Sequence, residues 1–125
     1  MDTKIKVLLL DDEPIVAERV RSSLERSDYH VDAFVSSRDA IDQLKKEKYH
    51  ILITDLKMRS PDGMEVLRIA KQIQSDIKAV VITGFATTKT AEEAKQSGAV
   101  EFIAKPFKMS QLKKMLKTIS GIDNE

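Results

Sequence analysis

The chain has 125 residues, enough for one domain with a single core of its own. It has no Cys, which excludes a disulfide scaffold and thiolate metal sites and suits a reducing cytosol. Its many charges nearly cancel to a formal +1, so whole-chain charge points neither to nucleic acid nor to acidic substrates. No apolar run approaches the roughly 18 residues of a membrane span. The polar start Met1-Asp2-Thr3-Lys4 leads straight into a strand, so no signal peptide is expected.

Ile5 to Leu10 reads as a buried strand that runs into Asp11, Asp12 and Glu13. Pro14 then suits the first turn of a helix, and Val16, Val20 and Leu24 recur every four residues along it. Val31 to Val35 is a shorter strand with polar neighbours, expected at a sheet edge. Ser36 and Asp39 suggest a capping box ahead of a helix carrying Ala40, Ile41 and Leu44. Ile51 to Thr54 is the central strand, and it delivers Asp55. A loop with Ser60, Pro61, Asp62 and Gly63 leads to a helix with Val66, Leu67, Ala70 and Ile73 inward. Ala79 to Ile82 is a fourth buried strand, ending at Thr83-Gly84. The helix from about Thr88 offers little inward beyond Ala91 and Ala94, and Gly98 can close it. Val100 to Ala104 is a fifth strand, closed by Lys105-Pro106. The last helix presents Leu112, Met115, Leu116 and Ile119, and residues 121–125 read as a tail after an ordered core of about 4–120.

The alternation is strand-helix five times over. Continuous apolar runs imply strands covered on both faces, hence a doubly wound parallel α/β sheet between helix layers. Such sheets place ligands outside the carboxyl ends of their strands. Those ends here carry Asp11 and Asp12, Asp55, Thr83 and Lys105. Taken singly each has a plain reading: the acid pair as helix caps, Asp55 and Thr83-Gly84 as turns, Lys105 as a surface lysine. His30 and His50 fall at strand starts, away from these ends.

The ordered set Leu10-Asp11-Asp12-Glu13, Thr54-Asp55-Leu56, Met58, Asp62-Gly63, Ile82-Thr83-Gly84, Gly98-Ala99 and Lys105-Pro106-Phe107 resembles the receiver domain of bacterial two-component response regulators over essentially the whole chain. The resemblance implies a flavodoxin-like fold of strand order 2-1-3-4-5. It implies a signalling switch that takes a phosphoryl group from a sensor histidine kinase or phosphotransfer protein onto Asp55. It casts Asp12 and Asp55 as direct Mg²⁺ ligands, Asp11 as acting through water, and the backbone carbonyl of Lys57 as completing the site. Thr83 and Lys105 would contact the phosphoryl oxygens, across a Lys105-Pro106 bond that the family usually has cis. Thr83 and Phe102 would relay the signal to an output domain or downstream protein through the fourth helix, fifth strand and last helix. No direct nucleic-acid or membrane binding is implied, and the setting would be cytoplasmic.

The chemistry agrees with that picture. A carboxylate oxygen can take a phosphoryl group as an acyl phosphate. Neighbouring acids would repel the incoming group unless a hard, oxygen-seeking cation such as Mg²⁺ offsets them. Two competing functions share parts of the pattern. A Mg²⁺-dependent phosphohydrolase with an Asp nucleophile would want a second Asp two positions on, where Lys57 stands. A flavin-binding electron carrier would want a Ser/Thr/Gly-rich first loop, where Asp11-Asp12-Glu13 stands.

The sequence departs from the family at Arg59, where Pro is common, with Pro61 displaced toward Asp62-Gly63. Lys57 and Phe85 occupy the places through which the family tunes hydrolysis of the acyl phosphate. A cation and a bulky ring there are expected to position attacking water poorly and prolong the phosphorylated state. The stretch Ile82 to Thr87 looks like receivers that precede an ATPase and a DNA-binding domain.

Overall fold

A computed structural model of the chain describes residues 4–56 and 62–121. Its elements are β1 (Lys6–Leu10), α1 (Pro14–Glu25), β2 (His30–Phe34), α2 (Ser37–Lys46), β3 (Ile51–Thr54), α3 (Gly63–Ile73), β4 (Lys78–Thr83), α4 (Thr88–Gln96), β5 (Ala99–Ala104) and α5 (Met109–Ser120). The strands form one parallel sheet in the order β2-β1-β3-β4-β5. This is the doubly wound α/β architecture expected from the apolar runs, and β2 lies at the edge as expected. That strand ends one residue early, at Phe34, and Val35 is exposed. Residues 57–61 and the tail 122–125 lie outside the described residues, so the Lys57 carbonyl, Met58, Arg59 and Pro61 are not placed.

Side chains alternate across the sheet with period two, so each strand feeds two cores. Val7, Leu9, Ile51, Ile53, Val80, Ile82 and Ile103 pack with Val20 and Leu24 of α1 and Leu112 and Leu116 of α5. Leu8, Leu10, Leu52, Ala79 and Val81 face the other way, onto Ala40 and Leu44 of α2, Val66, Leu67 and Ala70 of α3, and Ala94 of α4. Helix α4 contributes only that one buried residue, the thin attachment its small inward face suggested.

The helix starts differ from the sequence reading in detail. Ser36 accepts a hydrogen bond from the Asp39 N–H, giving a one-sided cap rather than the reciprocal box. Full boxes stand instead at Asp62 with Glu65 and at Thr87 with Thr90. Both satisfy backbone donors that a helix start leaves unpaired. At the far end of α4, Ser97 is the cap residue and Gly98 takes the turn at φ +115. The αL position at Gly98 is one that only glycine adopts without strain. A Cβ there would also press on the Lys71 stem at 2.8 Å.

Buried Gln74, just past α3, pins the approach to β3. Its side-chain oxygen accepts the Tyr49 N–H at 2.9 Å. Its amide donates to the Leu44 carbonyl at 2.9 Å and the Glu47 carbonyl at 2.6 Å. Truncating it would orphan one backbone donor and two acceptors in a place short of water. Gln74→Ala is therefore expected to destabilise the fold by about 2–4 kcal/mol. In urea the midpoint should fall by about 1–2 M, and a midpoint within experimental error of the parent's would refute this role.

Candidate functional site

The strand register alone brings the two acid-bearing ends together. Leu10 pairs with Thr54, so the next residues, Asp11 and Asp55, emerge side by side from the two central strands. Backbone bonds carry the ladder one step further: the Asp55 N–H donates to Leu10 O and the Asp11 N–H to Phe34 O, both at 3.1 Å. Asp11 and Asp55 continue the parity of Val7, Leu9, Ile51 and Ile53, so they lean toward the α1 and α5 side. Strand β5 aligns with β4 through Thr83 and Ala104, and the Lys105 N–H donates to Thr83 O at 2.8 Å. The Lys105–Pro106 bond is cis, as the resemblance implied.

Lys105 reaches back across β4 to the acids. Its Nζ donates to Asp55 Oδ2 at 2.8 Å, Asp11 Oδ2 at 3.1 Å and Glu13 Oε1 at 3.2 Å. Asp11 is 4% exposed and Asp55 7%. Burial at that depth disfavours a lone carboxylate strongly, so an ion-paired ammonium is what permits two. For Lys105, burial works against the charge first. Hydrogen bonds with Asp55 and Asp11 outweigh it and hold the ammonium above the ordinary lysine range. For Asp11 burial wins: its pKa is raised, against the pull of the Glu13 N–H at 2.9 Å and of Lys105.

Asp12 points outward beside them. One carboxylate oxygen each from Asp11, Asp12 and Asp55 lie within 4.8 Å of one another. These three carboxylates and the Lys105 ammonium leave two formal negative charges, and the Glu13 carboxylate, 3.2 Å from the same ammonium, adds a third. A divalent, oxygen-seeking cation suits both the negative charge and the all-oxygen donor set. The residues present therefore fit such an ion. Of the expected ligands, the Lys57 carbonyl alone falls outside the described residues.

Thr83 is fully buried, and its hydroxyl accepts the Phe85 N–H at 3.1 Å. Gly84 beside it meets nothing within 4 Å of a built Cβ, so that side of the site is open. Phe102 pairs with Val81 and packs, half-buried, against the core on the α3 and α4 side. His30 and His50 stand at the opposite ends of their strands, and His50 Nδ1 accepts the Lys6 N–H.

Two features escaped the sequence reading. Glu13, seen only as part of an acid run, is a third partner of Lys105. Its signal was its place two residues past Asp11, at the mouth of the acid cluster. Gly63 was legible as part of a motif but not for its reason. A Cβ on it would sit 2.1 Å from the Asp55 backbone oxygen, so α3 begins directly against the backbone of Asp55 and Leu56.

A family model described as "Response regulator receiver domain" matches residues 7–117. The response regulator receiver protein CpdR of Brucella abortus is 31% identical over 86% of this chain and 89% of its own length. The C4-dicarboxylate transport transcriptional regulatory protein DctD of Rhizobium meliloti is 30% identical over 90% of this chain, which spans only 24% of that protein. A crystal structure of a response regulator protein from Burkholderia pseudomallei, with a phosphorylated aspartic acid, calcium ion and citrate, superposes with a TM-score of 0.83. It is 23% identical and covers 98% of this chain and 76% of its own, a likeness of fold.

The raised pKa of Asp11 would give a divalent ion held among these acids a pH-dependent affinity. A ligand carboxylate must be ionised, and here protonation begins above the ordinary value of 3.8. Affinity for Mg²⁺, measured by titration calorimetry, should hold near neutrality. It should fall as pH drops toward the acid range, earlier than an unperturbed carboxylate would dictate. An affinity flat down to pH 4 would contradict this arrangement.

Proposed function

The chain belongs to the response regulator receiver domain family, and from that membership we propose that it is a two-component switch phosphorylated on Asp55 with Mg²⁺ as cofactor. The carrying observation is Lys105 Nζ bridging Asp55 and Asp11, with Asp12 completing a cluster of three acids. A catalytic lysine and a nucleophile are thereby in contact before any donor arrives. Positioning and electrostatics are most of what phosphoryl transfer asks of a protein.

The proposed step is a displacement at phosphorus. An Asp55 carboxylate oxygen bonds to the phosphorus as the P–N bond to a partner's phosphohistidine breaks. The electron pair stays on the imidazole nitrogen, which takes up a proton. Lys105 and Thr83 would bind the phosphoryl oxygens, and Asp11, Asp12, Asp55 and the Lys57 carbonyl would hold Mg²⁺. The bound ion offsets negative charge on the transferring group. The phosphorylated aspartate in the Burkholderia protein belongs to that protein and supports the reading by likeness of fold.

Output follows from what Thr83 is attached to. Its hydroxyl accepts the Phe85 N–H, and donating its own O–H to a phosphoryl group would draw Thr83 toward the site and pull on that bond. The loop from Gly84 leads into α4, whose hold on the core is a single buried alanine. A groove along α4 and β5, lined by Ala91, Glu92, Val100 and Phe102 among others, adjoins it. The face formed by α4, β5 and α5 is proposed to meet an output domain or downstream protein, with Thr83 and Phe102 as the switch pair. A sensor histidine kinase or phosphotransfer protein is the donor, in the cytoplasm. Residues 1–125 are proposed as one receiver domain, without nucleic-acid binding of its own. Among the described residues no helix is long and apolar enough to cross a membrane.

Intact mass after acetyl phosphate with Mg²⁺ tests this. The parent should gain one phosphoryl group, Asp55→Asn none, and the parent none when a chelator is present. The adduct should persist, and it should decay faster when Lys57 and Phe85 are both replaced by small polar residues. A parent whose mass never shifts, or an Asp55→Asn variant that is modified as fully as the parent, would overturn the proposal.

A further inference from the structure

Glu13 occupies the N-cap position of α1, where short polar side chains such as Asp or Ser ordinarily accept from the second or third helical N–H. It makes no such bond here. Pro14 follows it and offers no N–H, and the Glu13 side chain turns away to Lys105 Nζ. Its main chain is committed nearby: the N–H binds Asp11 Oδ1 at 2.9 Å and the carbonyl accepts the Ala17 N–H at 3.0 Å.

An ammonium has three N–H donors. At Lys105 three carboxylates stand within hydrogen-bond distance, from Asp55, Asp11 and Glu13. The resting lysine is thus fully engaged. A phosphoryl oxygen needs one of those places. The three are unequal: the Asp11 and Asp55 side chains are 6% and 8% exposed, that of Glu13 62%. Glu13 also makes the longest of the three contacts. Water can solvate a released Glu13 carboxylate, whereas the other two have little water to turn to. Among the described residues Glu13 is also outside the acid group suited to a metal.

We infer that Glu13 is a positioning residue, a detachable counter-ion that holds Lys105 in the resting state and gives up its place to the incoming phosphoryl oxygen. The inference rests on the proposed phosphorylation of Asp55 and adds a determinant of its rate. An exposed ion pair is worth about 0.2–1 kcal/mol, which is about a 1.5- to fivefold effect on rate.

The test compares the parent with Glu13→Ala and Glu13→Asp, using acetyl phosphate at saturating Mg²⁺ and low ionic strength. Mg²⁺ affinity is measured separately by calorimetry. The Asp variant keeps the negative charge at the entrance but is one methylene too short for Lys105. Both variants should be phosphorylated faster than the parent, by about 1.5- to fivefold, without binding Mg²⁺ more tightly. The gain should shrink in high salt, which already screens an exposed pair. Two results would overturn the inference: Glu13→Asp phosphorylated at the parent's rate, which assigns the effect to entrance charge, or both variants slower. If the parent itself takes up no phosphoryl group, the proposed function falls and this inference with it. A parent that is phosphorylated beside unresponsive variants removes the inference alone.

Discussion

Everything in this molecule is arranged around a repulsion. Two carboxylates, Asp11 and Asp55, leave adjacent central strands nearly buried, with Asp12 close by. Nothing in the packing of β1 and β3 asks for acids at that point; the apolar runs would pack as well without them. One cation, Lys105, comes from the other side of β4 to hold them. Its reach requires β5 to lie next to β4 in the observed register, with the Lys105 N–H tied to Thr83 O at 2.8 Å. Strand order and electrostatics are therefore one constraint. Asp11, Asp12 and Asp55 with Lys105 leave two formal negative charges, and Glu13 adds a third; that excess would suit a divalent ion, on which the proposed phosphoryl transfer depends.

The same constraint explains how occupancy at the strand ends can be felt elsewhere. Thr83 stands between the site and the β4–α4 loop. Its carbonyl holds Lys105 and its hydroxyl holds Phe85. The Phe85 carbonyl in turn accepts from the Thr90 hydroxyl at 2.9 Å, inside the box that starts α4. A short run of hydrogen bonds thus links the buried threonine to a helix with one buried side chain. Phe102 sits on the neighbouring strand, already half out of the core. A weakly held element next to a charge-sensitive one is the physical basis of the proposed two-state surface.

Much of the architecture was legible because it depends on patterns the chain repeats. Apolar runs located all five strands, β3 to the residue, and the acids and lysine read at the strand ends do come together at the candidate site. What was not legible depends on distance rather than pattern. Val35 looked like a strand residue by type, but β2 has no partner on its outer side and stops at Phe34. Glu65 and Thr90 reveal themselves as capping partners only once the helix starts are fixed. Gln74 reads as an ordinary polar residue until the turns it bonds, 25 to 30 residues earlier, are folded around it. Gly63 is needed because a backbone oxygen lies where its side chain would be. Glu13 is diverted from capping to ion pairing by a lysine 92 residues away.

The central claim is that the carboxylates of Asp11, Asp12 and Asp55 form one divalent-ion site in contact with Lys105. Crystals grown with Mn²⁺ in place of Mg²⁺ test it directly, because the ion's anomalous signal marks its position. The account predicts one strong peak at coordination distance, about 2.0–2.3 Å, from carboxylate oxygens of Asp12 and Asp55, with Lys105 still beside Asp55. A peak elsewhere on the molecule, or none at a concentration that saturates binding in solution, would contradict it.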